Sequence, residues 1–313
     1  MSGTAWTDKQ LAELKKIYKN KPAFTTDYEL AGLLSRQFRK SPEAVRWQLR
    51  QLHRDTAVKQ APKILLLDIE TLPIEAYVWG TWKQDIYMDQ IIKDWSILGW
   101  SAKWLFDDKV MGAVVTPQEA INRTDRSVLM KVWELMNEAN IIVWHNGNNF
   151  DAKKLNARFF QNGYPKPLYY QSIDTKKIAT DTFAFTYNKL DWITQILGIG
   201  RKIETEFSWW VECANGNKKY LEKMLEYNKM DIHLEEEVYL RLRPWMEKHP
   251  NLNVYGVGEK VVGCAVCGGQ SITWQKTWQT ELGLYKAFRC EICGAPGRST
   301  QKAYKVGSAV TKS

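Results

Sequence analysis

Asp68 and Glu70 stand two residues apart at the end of the apolar run Lys-Ile-Leu-Leu-Leu-Asp-Ile-Glu-Thr, residues 63–71. Side chains alternate along a strand, so both carboxylates project from one face. Adjacent carboxylates repel and resist joint ionisation unless a cation lies between them, which points to a metal site; alone, an Asp-x-Glu pair also reads as a strand running into a polar turn. Asp151 follows a second apolar strand, residues 141–144, that breaks in an Asn/Gly turn and enters a helical pattern over residues 152–160. It therefore falls in a first helical turn beside a strand end. Tyr227 and Asp231 are four apart in residues 218–243, where Leu221, Leu225, Ile232, Leu234, Val238 and Leu240 fit a helix, so the two share a helix face. Singly, Asp151 reads as a helix-start acid and Asp231 as a solvated charge; in this order the acids form a far more specific signal.

The order and spacing resemble the DEDD superfamily of ribonuclease-H-like 3′-to-5′ exonucleases, in the tyrosine subclass (DEDDy) carried by family B DNA polymerases. The matching motifs are Asp68-Ile69-Glu70-Thr71, Asn146 through Phe150-Asp151, and Tyr227-x-x-x-Asp231. The sister subclass has His five residues before the last Asp, where this chain has Glu226. The likeness covers residues 63–250 and extends to free-standing phage-encoded exonucleases. It implies an α/β fold, a ribonuclease-H-like mixed sheet with flanking helices, and phosphodiester hydrolysis by two divalent ions about 3.5–4 Å apart. By the same resemblance Asp68 would bridge both ions, Glu70 and Asp231 would complete the shell of the first ion, and Asp151 would hold the second ion largely through water. Tyr227 orients the attacking water; a phenol with a pKa of about 10 is a poor base at neutral pH. Hard oxygen ligands suit Mg²⁺ or Mn²⁺. The backbone of Thr71 and the side chain of Leu72 resemble elements that meet the terminal nucleotide, with Asn146 and Phe150 as further substrate-binding residues; Phe150 stacks on a base or belongs to the core.

These groups need a scaffold. Strands are expected over residues 64–69, 96–104, 109–116, 141–144 and 169–173, with a helix over residues 117–139. Short early connections suggest antiparallel pairing and the later strand-helix alternation parallel pairing, hence a mixed sheet. Trp79, Trp82, Tyr87 and Trp95 are expected mostly to pack, and Asp174 to be structural.

The first 58 residues read as three helices, opened by Thr7-x-x-Gln10, Thr26-x-x-Glu29 and Ser41-Pro42. Trp6, Leu11, Leu14, Tyr18, Leu30, Leu33, Leu34, Val45, Leu49 and Leu52 supply their core. The third presents Arg46, Gln48, Arg50, Gln51 and Arg54 to phosphates and base edges, and resembles the recognition helix of a Myb-like helix-turn-helix; a protein-binding bundle or a merely cationic face is the competing reading. At the other end, Cys264, Cys267, Cys290 and Cys293 form paired CxxC knuckles suited to one structural Zn²⁺ in a zinc ribbon, with disulfides as the competing reading. Cys213 is left as an ordinary thiol. No signal-peptide core and no membrane-spanning apolar run is evident, so a reducing cytoplasm is expected, that of the host if the protein is viral.

A division follows into residues 1–58, 59–250 and 251–313, with a loose tail from Ser299. The net charge is +9, yet the flanks exceed it, with 13 Lys/Arg against 6 Asp/Glu over residues 1–63 and 8 against 3 over residues 250–313, so the centre is net negative. Basic flanks suit a polyanion. The expected function is a metal-dependent 3′-to-5′ exonuclease on DNA; an RNA-processing exonuclease and a non-catalytic nucleic-acid binding protein are the alternatives.

Overall fold

The computed structural model describes residues 6–19, 27–56, 62–255, 263–281 and 283–303. The chain divides into two compact units, one of residues 63–239 and one of residues 1–62 with 240–313.

In the latter unit, α1 (Asp8–Lys19), α2 (Asp27–Phe38) and α3 (Pro42–Thr56) come first. Thr7 and Gln10 exchange reciprocal bonds at the head of α1, of 3.1 and 3.2 Å, and Ser41 Oγ accepts from the Ala44 N–H at 3.1 Å ahead of α3. The Thr26 start lies outside the described residues. Leu14, Tyr18, Leu30, Ala31, Leu34, Phe38, Val45 and Leu49 form the core, with Trp6 and Leu52 packed against it. Leu33, expected inside, is 71% exposed. The inward stripe of α2 runs through Leu30, Leu34 and Phe38 at helical spacing of four, and Leu33 falls beside it.

The central unit begins with β1 (Ile64–Leu72), the short hairpin β2 (Glu75–Ala76) and β3 (Ile91–Lys93), β4 (Ser96–Trp104) and β5 (Met111–Val114). Then come α4 (Pro117–Asn122), α5 (Arg126–Glu138), β6 (Ile141–Trp144), α6 (Asp151–Gln161) and β7 (Gln171–Asp174). Helices α7 (Thr175–Thr182), α8 (Leu190–Ile196), α9 (Phe207–Ala214) and α10 (Lys218–Leu242) follow. Five strands form a mixed sheet in the order β5-β4-β1-β6-β7, with β1 antiparallel to β4 and parallel to β6. The central place of β1 explains its apolar run: Leu65, Leu66 and Leu67 are all fully buried, as a strand covered on both faces requires.

The expected helix over residues 117–139 is instead two. Arg123 turns left-handed (φ 57°) after α4, and Asp125 is pinned to the sheet: its carboxylate accepts from the Ile97 N–H at 3.0 Å and from Arg158 at 2.6 and 2.9 Å. Glu119 serves both pieces, completing a capping box with Thr116 on α4 and accepting from the Ser127 N–H at 3.0 Å on α5. Thr116 is thereby a helix cap and not a strand residue. Trp79, Trp82 and Tyr87, expected mostly to pack, are exposed in the β2–β3 connection, whereas Trp95 packs on the core beneath the Lys154 ammonium.

Near the other end of the chain, β8 (Ile272–Thr280), β9 (Gly283–Cys290) and β10 (Pro296–Lys302) form an antiparallel sheet in the order β10-β9-β8. The expected loose tail from Ser299 is thus corrected as far as Lys302, which pairs with Tyr285. Among the described residues no helix is long and apolar enough to cross a membrane.

Candidate active site

Along β1, Leu65, Leu67 and Ile69 enter the core while Asp68 and Glu70 alternate to the other face. The ladder with β4 slips between Glu70 and Thr71, and past the slip Leu72 joins the core cluster, fully buried. Leu72, expected to meet the terminal nucleotide, thus has its side chain inside the core. Thr71 remains half-buried at the strand end.

Asp151 is placed by the turn between β6 and α6. Asn146 takes φ 72° and its N–H donates to Asp174 Oδ1 at 2.9 Å, while the Asn148 N–H donates to Oδ2 at 3.2 Å. Asp174 also caps α7, accepting from the N–H groups of Lys176 and Lys177 at 3.1 and 3.2 Å. At Gly147 a Cβ would lie 2.1 Å from Trp144 Cγ, so the turn closes only on glycine. Asp151 then reaches β1, where its Oδ1 accepts from the Ile69 N–H at 3.0 Å. Asn146 serves this turn through its backbone, and Phe150 stays 37% exposed beside it.

Helix α10 brings Tyr227 and Asp231, both buried, to the same place. Carboxylate oxygens of Asp68, Glu70 and Asp231 lie within 4.8 Å of one another. Three further residues, to which no role was expected from the sequence, complete the surroundings. Asn228 Nδ2 donates to Asp68 Oδ2. Lys202 Nζ lies 2.5 Å from Asp231 Oδ2 and 3.3 Å from the Tyr227 hydroxyl, and its backbone N–H donates to Asp191 Oδ1 at 3.0 Å. Glu235 lies one helical turn beyond Asp231 and is buried. Asn228 and Glu235 carried a signal, since they share the stripe of Asp231 at spacings of three and four; Lys202 comes from a loop and carried none.

Burial is the leading influence on these acids. It lifts Asp68 well above the usual carboxylate range, with the charges of Asp151, Asp231 and Glu70 adding to it. Burial pushes Glu70 up to about 8 against the pull of Lys202, with Asp231 and Asp151 adding. It pushes Asp151 up to about 7, opposed by the bond from Ile69. Asp231 is raised by burial and held back by Lys202. Tyr227 is raised by burial and by Asp231, so it is a neutral phenol. Lys202 is depressed by burial but raised further by Asp231, Tyr227 and Asp68, so it is an ammonium. Crowded buried carboxylates with one such lysine among them are short of positive charge. Asp231 Oδ1 is moreover buried without a hydrogen-bond partner among the described residues. An all-oxygen donor set with an orphaned anionic atom fits a hard divalent cation.

Residues 105–243 match the family model described as RNase_H superfamily (RNase_H_2). The chain thus holds a stretch similar to an RNase H-like domain. Asp151, Tyr227 and Asp231 lie within the match, and Asp68 and Glu70 lie outside it, on β1. Among solved structures, the family B DNA polymerase from the hyperthermophilic archaeon Pyrobaculum calidifontis is similar over 59% of this chain and 25% of that one, at 15% identity and a TM-score of 0.43. The chain therefore spans about a quarter of the polymerase it matches. No curated protein matches it.

Outside the RNase H-like stretch, the four knuckle cysteines converge. Cys264 Sγ is 3.7 Å from Cys293 Sγ and Cys267 Sγ 3.6 Å from Cys290 Sγ, and all four are free thiols. A tetrahedral zinc with Zn–S bonds of about 2.3 Å sets its sulfurs about 3.8 Å apart, whereas a disulfide needs about 2.05 Å. Each knuckle closes on a left-handed glycine, Gly268 at φ 73° and Gly294 at φ 78°. Cys213 is buried, and its thiol is pushed up to about 12 by that burial, which makes it inert. On α3, Arg46 lies 3.7 Å from Glu43. The side chains of Arg50 and Arg54 lie outside the described residues.

Proposed function

We propose that the cluster on β1, α6 and α10 is the active site of a 3′-to-5′ exonuclease hydrolysing DNA with two Mg²⁺ or Mn²⁺ ions, in the manner of the DEDDy enzymes. The observation that carries this reading is the convergence of Asp68, Glu70 and Asp231 oxygens within 4.8 Å beside an orphaned Asp231 oxygen. Asp68, Glu70 and Asp231 would hold one ion, and Asp68 with Asp151 the other. When bound, the ions acidify a water and stabilise the leaving 3′-oxygen.

The chain's own groups do the positioning. Tyr227, kept neutral, holds the attacking water by its hydroxyl and does not take its proton. Lys202 donates to the Tyr227 oxygen and to Asp231, fixing both against α10. Asn228 sets the rotamer of Asp68. Phe150, exposed beside the turn, stacks on a terminal base, and the Thr71 backbone meets the same nucleotide. The flanks recruit substrate: α1–α3 as a helix-turn-helix whose Arg46, Arg50 and Arg54 meet phosphates, and the four cysteines as a zinc ribbon, giving modules over residues 1–58, 59–250 and 251–313. End-labelled single-stranded, duplex and mismatched DNA and RNA, digested side by side with and without chelator, test the reading. Stepwise loss from the 3′ end of DNA, silenced by chelation, is expected. Cleavage in excess chelator, or none with any substrate, overturns it, and faster loss from RNA moves the assignment to an RNA-processing exonuclease.

A further inference from the structure

We infer that Glu235 is a fifth carboxylate of the cation site, giving an oxygen to the shell of a bound divalent ion, directly or through one of its waters. The inference rests on the metal-nuclease reading above. Asn228, Asp231 and Glu235 follow one another at spacings of three and four on α10 and so form one stripe. Each leaves a buried oxygen without a hydrogen-bond partner among the described residues: Asn228 Oδ1, Asp231 Oδ1 and Glu235 Oε1. Glu235 is 1% exposed, and the charges that act on it most strongly are those of Asp68, Asp151 and Asp231. On α10 it stands one helical turn beyond Asp231, on the same stripe.

The next residue shows what a structural glutamate does in this helix. Glu236 is also fully buried, but it takes the Lys103 ammonium at 2.5 Å and the Phe106 N–H at 3.1 Å. Glu235 has no such donors among the described residues. A carboxyl buried without a donor beside other acids destabilises the fold unless something arrives to satisfy it. A cation with its water shell satisfies Asp231 and Glu235 together.

The test is Mn²⁺ binding by the full chain, read as loss of the free-ion paramagnetic signal at constant pH, for wild type, Glu235→Gln and Glu235→Asp, with Asp231→Asn as reference. Melting in metal-free buffer is measured alongside. Loss of an outer ligand typically weakens metal affinity about 10- to 100-fold, and that loss is expected for Glu235→Gln, with a smaller one for Glu235→Asp. Metal-free melting of Glu235→Gln should not fall, because no donor bond is lost. Wild-type Mn²⁺ affinity in Glu235→Gln, with or without a lower melting temperature, overturns the inference. Should Glu235→Gln fail to fold, wild-type affinity in a folded Glu235→Asp overturns it equally. A wild type that binds no Mn²⁺ defeats the metal-nuclease reading first, so the two failures are distinguishable.

Discussion

The backbone N–H of Ile69 donates to Asp151 Oδ1 at 3.0 Å, so the residue between Asp68 and Glu70 is tied to the acid at the head of α6. One hydrogen bond thereby fixes the spacing of three acids that come from two elements 82 residues apart in the chain. It also offsets part of the cost of burying the Asp151 charge.

Asp151→Asn keeps an oxygen for the Ile69 N–H, whereas Asp151→Ala leaves that donor orphaned. Both should nearly abolish hydrolysis, as should Asp68→Ala, because each removes an oxygen ligand. The alanine variant of Asp151 should be less stable than the asparagine by about 1–3 kcal/mol, the penalty of an unpaired buried donor. Denaturant melts of the pair, run beside digestion of an end-labelled strand, check both statements; equal stability would remove the structural part.

Stability of the metal-free protein should fall as pH rises. Asp151, at about 7, and Glu70, at about 8, keep protons in the folded state that the unfolded chain releases near the ordinary carboxylate range of about 4. Between those limits the folded state binds more protons, so unfolding free energy declines with pH, by about 1.4 kcal/mol per unit of pKa separation for each group. Melting temperatures in chelator should therefore drop from about pH 5 to about pH 8. Added Mg²⁺, replacing the protons, should flatten the decline. A rise with pH in chelator would count against this ionisation pattern.

Tyr227→Phe should lower kcat by about 10- to 100-fold, or 1.4–2.7 kcal/mol of barrier, while leaving KM and Mn²⁺ affinity near wild type. The hydroxyl is proposed to act on the water and not on the ions. Steady-state kinetics at saturating metal separate these; an effect confined to KM would assign Tyr227 to substrate binding instead.

Purified under reducing conditions, the chain should carry one zinc on Cys264, Cys267, Cys290 and Cys293. Metal binding there supplies folding free energy to a segment with little core of its own, so Cys290→Ser should lose the metal and unfold β8–β10 while the central domain still melts cooperatively. Elemental analysis with two-dimensional NMR reads both. Metal-free protein with intact ribbon resonances would sink the zinc assignment.

Deleting residues 1–58 should weaken duplex binding and flatten its salt dependence, by roughly 0.9 in log–log slope for each phosphate that the protein no longer neutralises. Hydrolysis of short single strands should persist. Arg46, Arg50 and Arg54 changed together to Ala should reproduce much of that weakening. Unchanged affinity and slope in the triple variant would favour a protein-binding bundle.

The acids of the site were legible because each stands where a local pattern changes: a strand ends at Asp68 and Glu70, a helix starts at Asp151, and a helical stripe runs through Tyr227 and Asp231. What could not be read depends on tertiary placement. Lys202 reaches Asp231 from a loop held by Asp191, an interaction that leaves no periodic trace. Leu72 is buried because the β1–β4 ladder slips after Glu70, and alternation alone puts it on the wrong face. The break at Arg123 depends on Asp125 meeting Arg158 and Ile97, again across the fold. The two- and three-residue strands β2 and β3 are too short to show a period at all.

Asp174 gathers the amides of Asn146, Asn148, Lys176 and Lys177 on one carboxylate. The turn that launches α6 and the first turn of α7 are therefore latched by a single side chain and should open as one cooperative unit. In amide hydrogen exchange these four sites should share a common opening free energy, and a change at Asp174 should release all of them together, loosening the turn that carries Asp151.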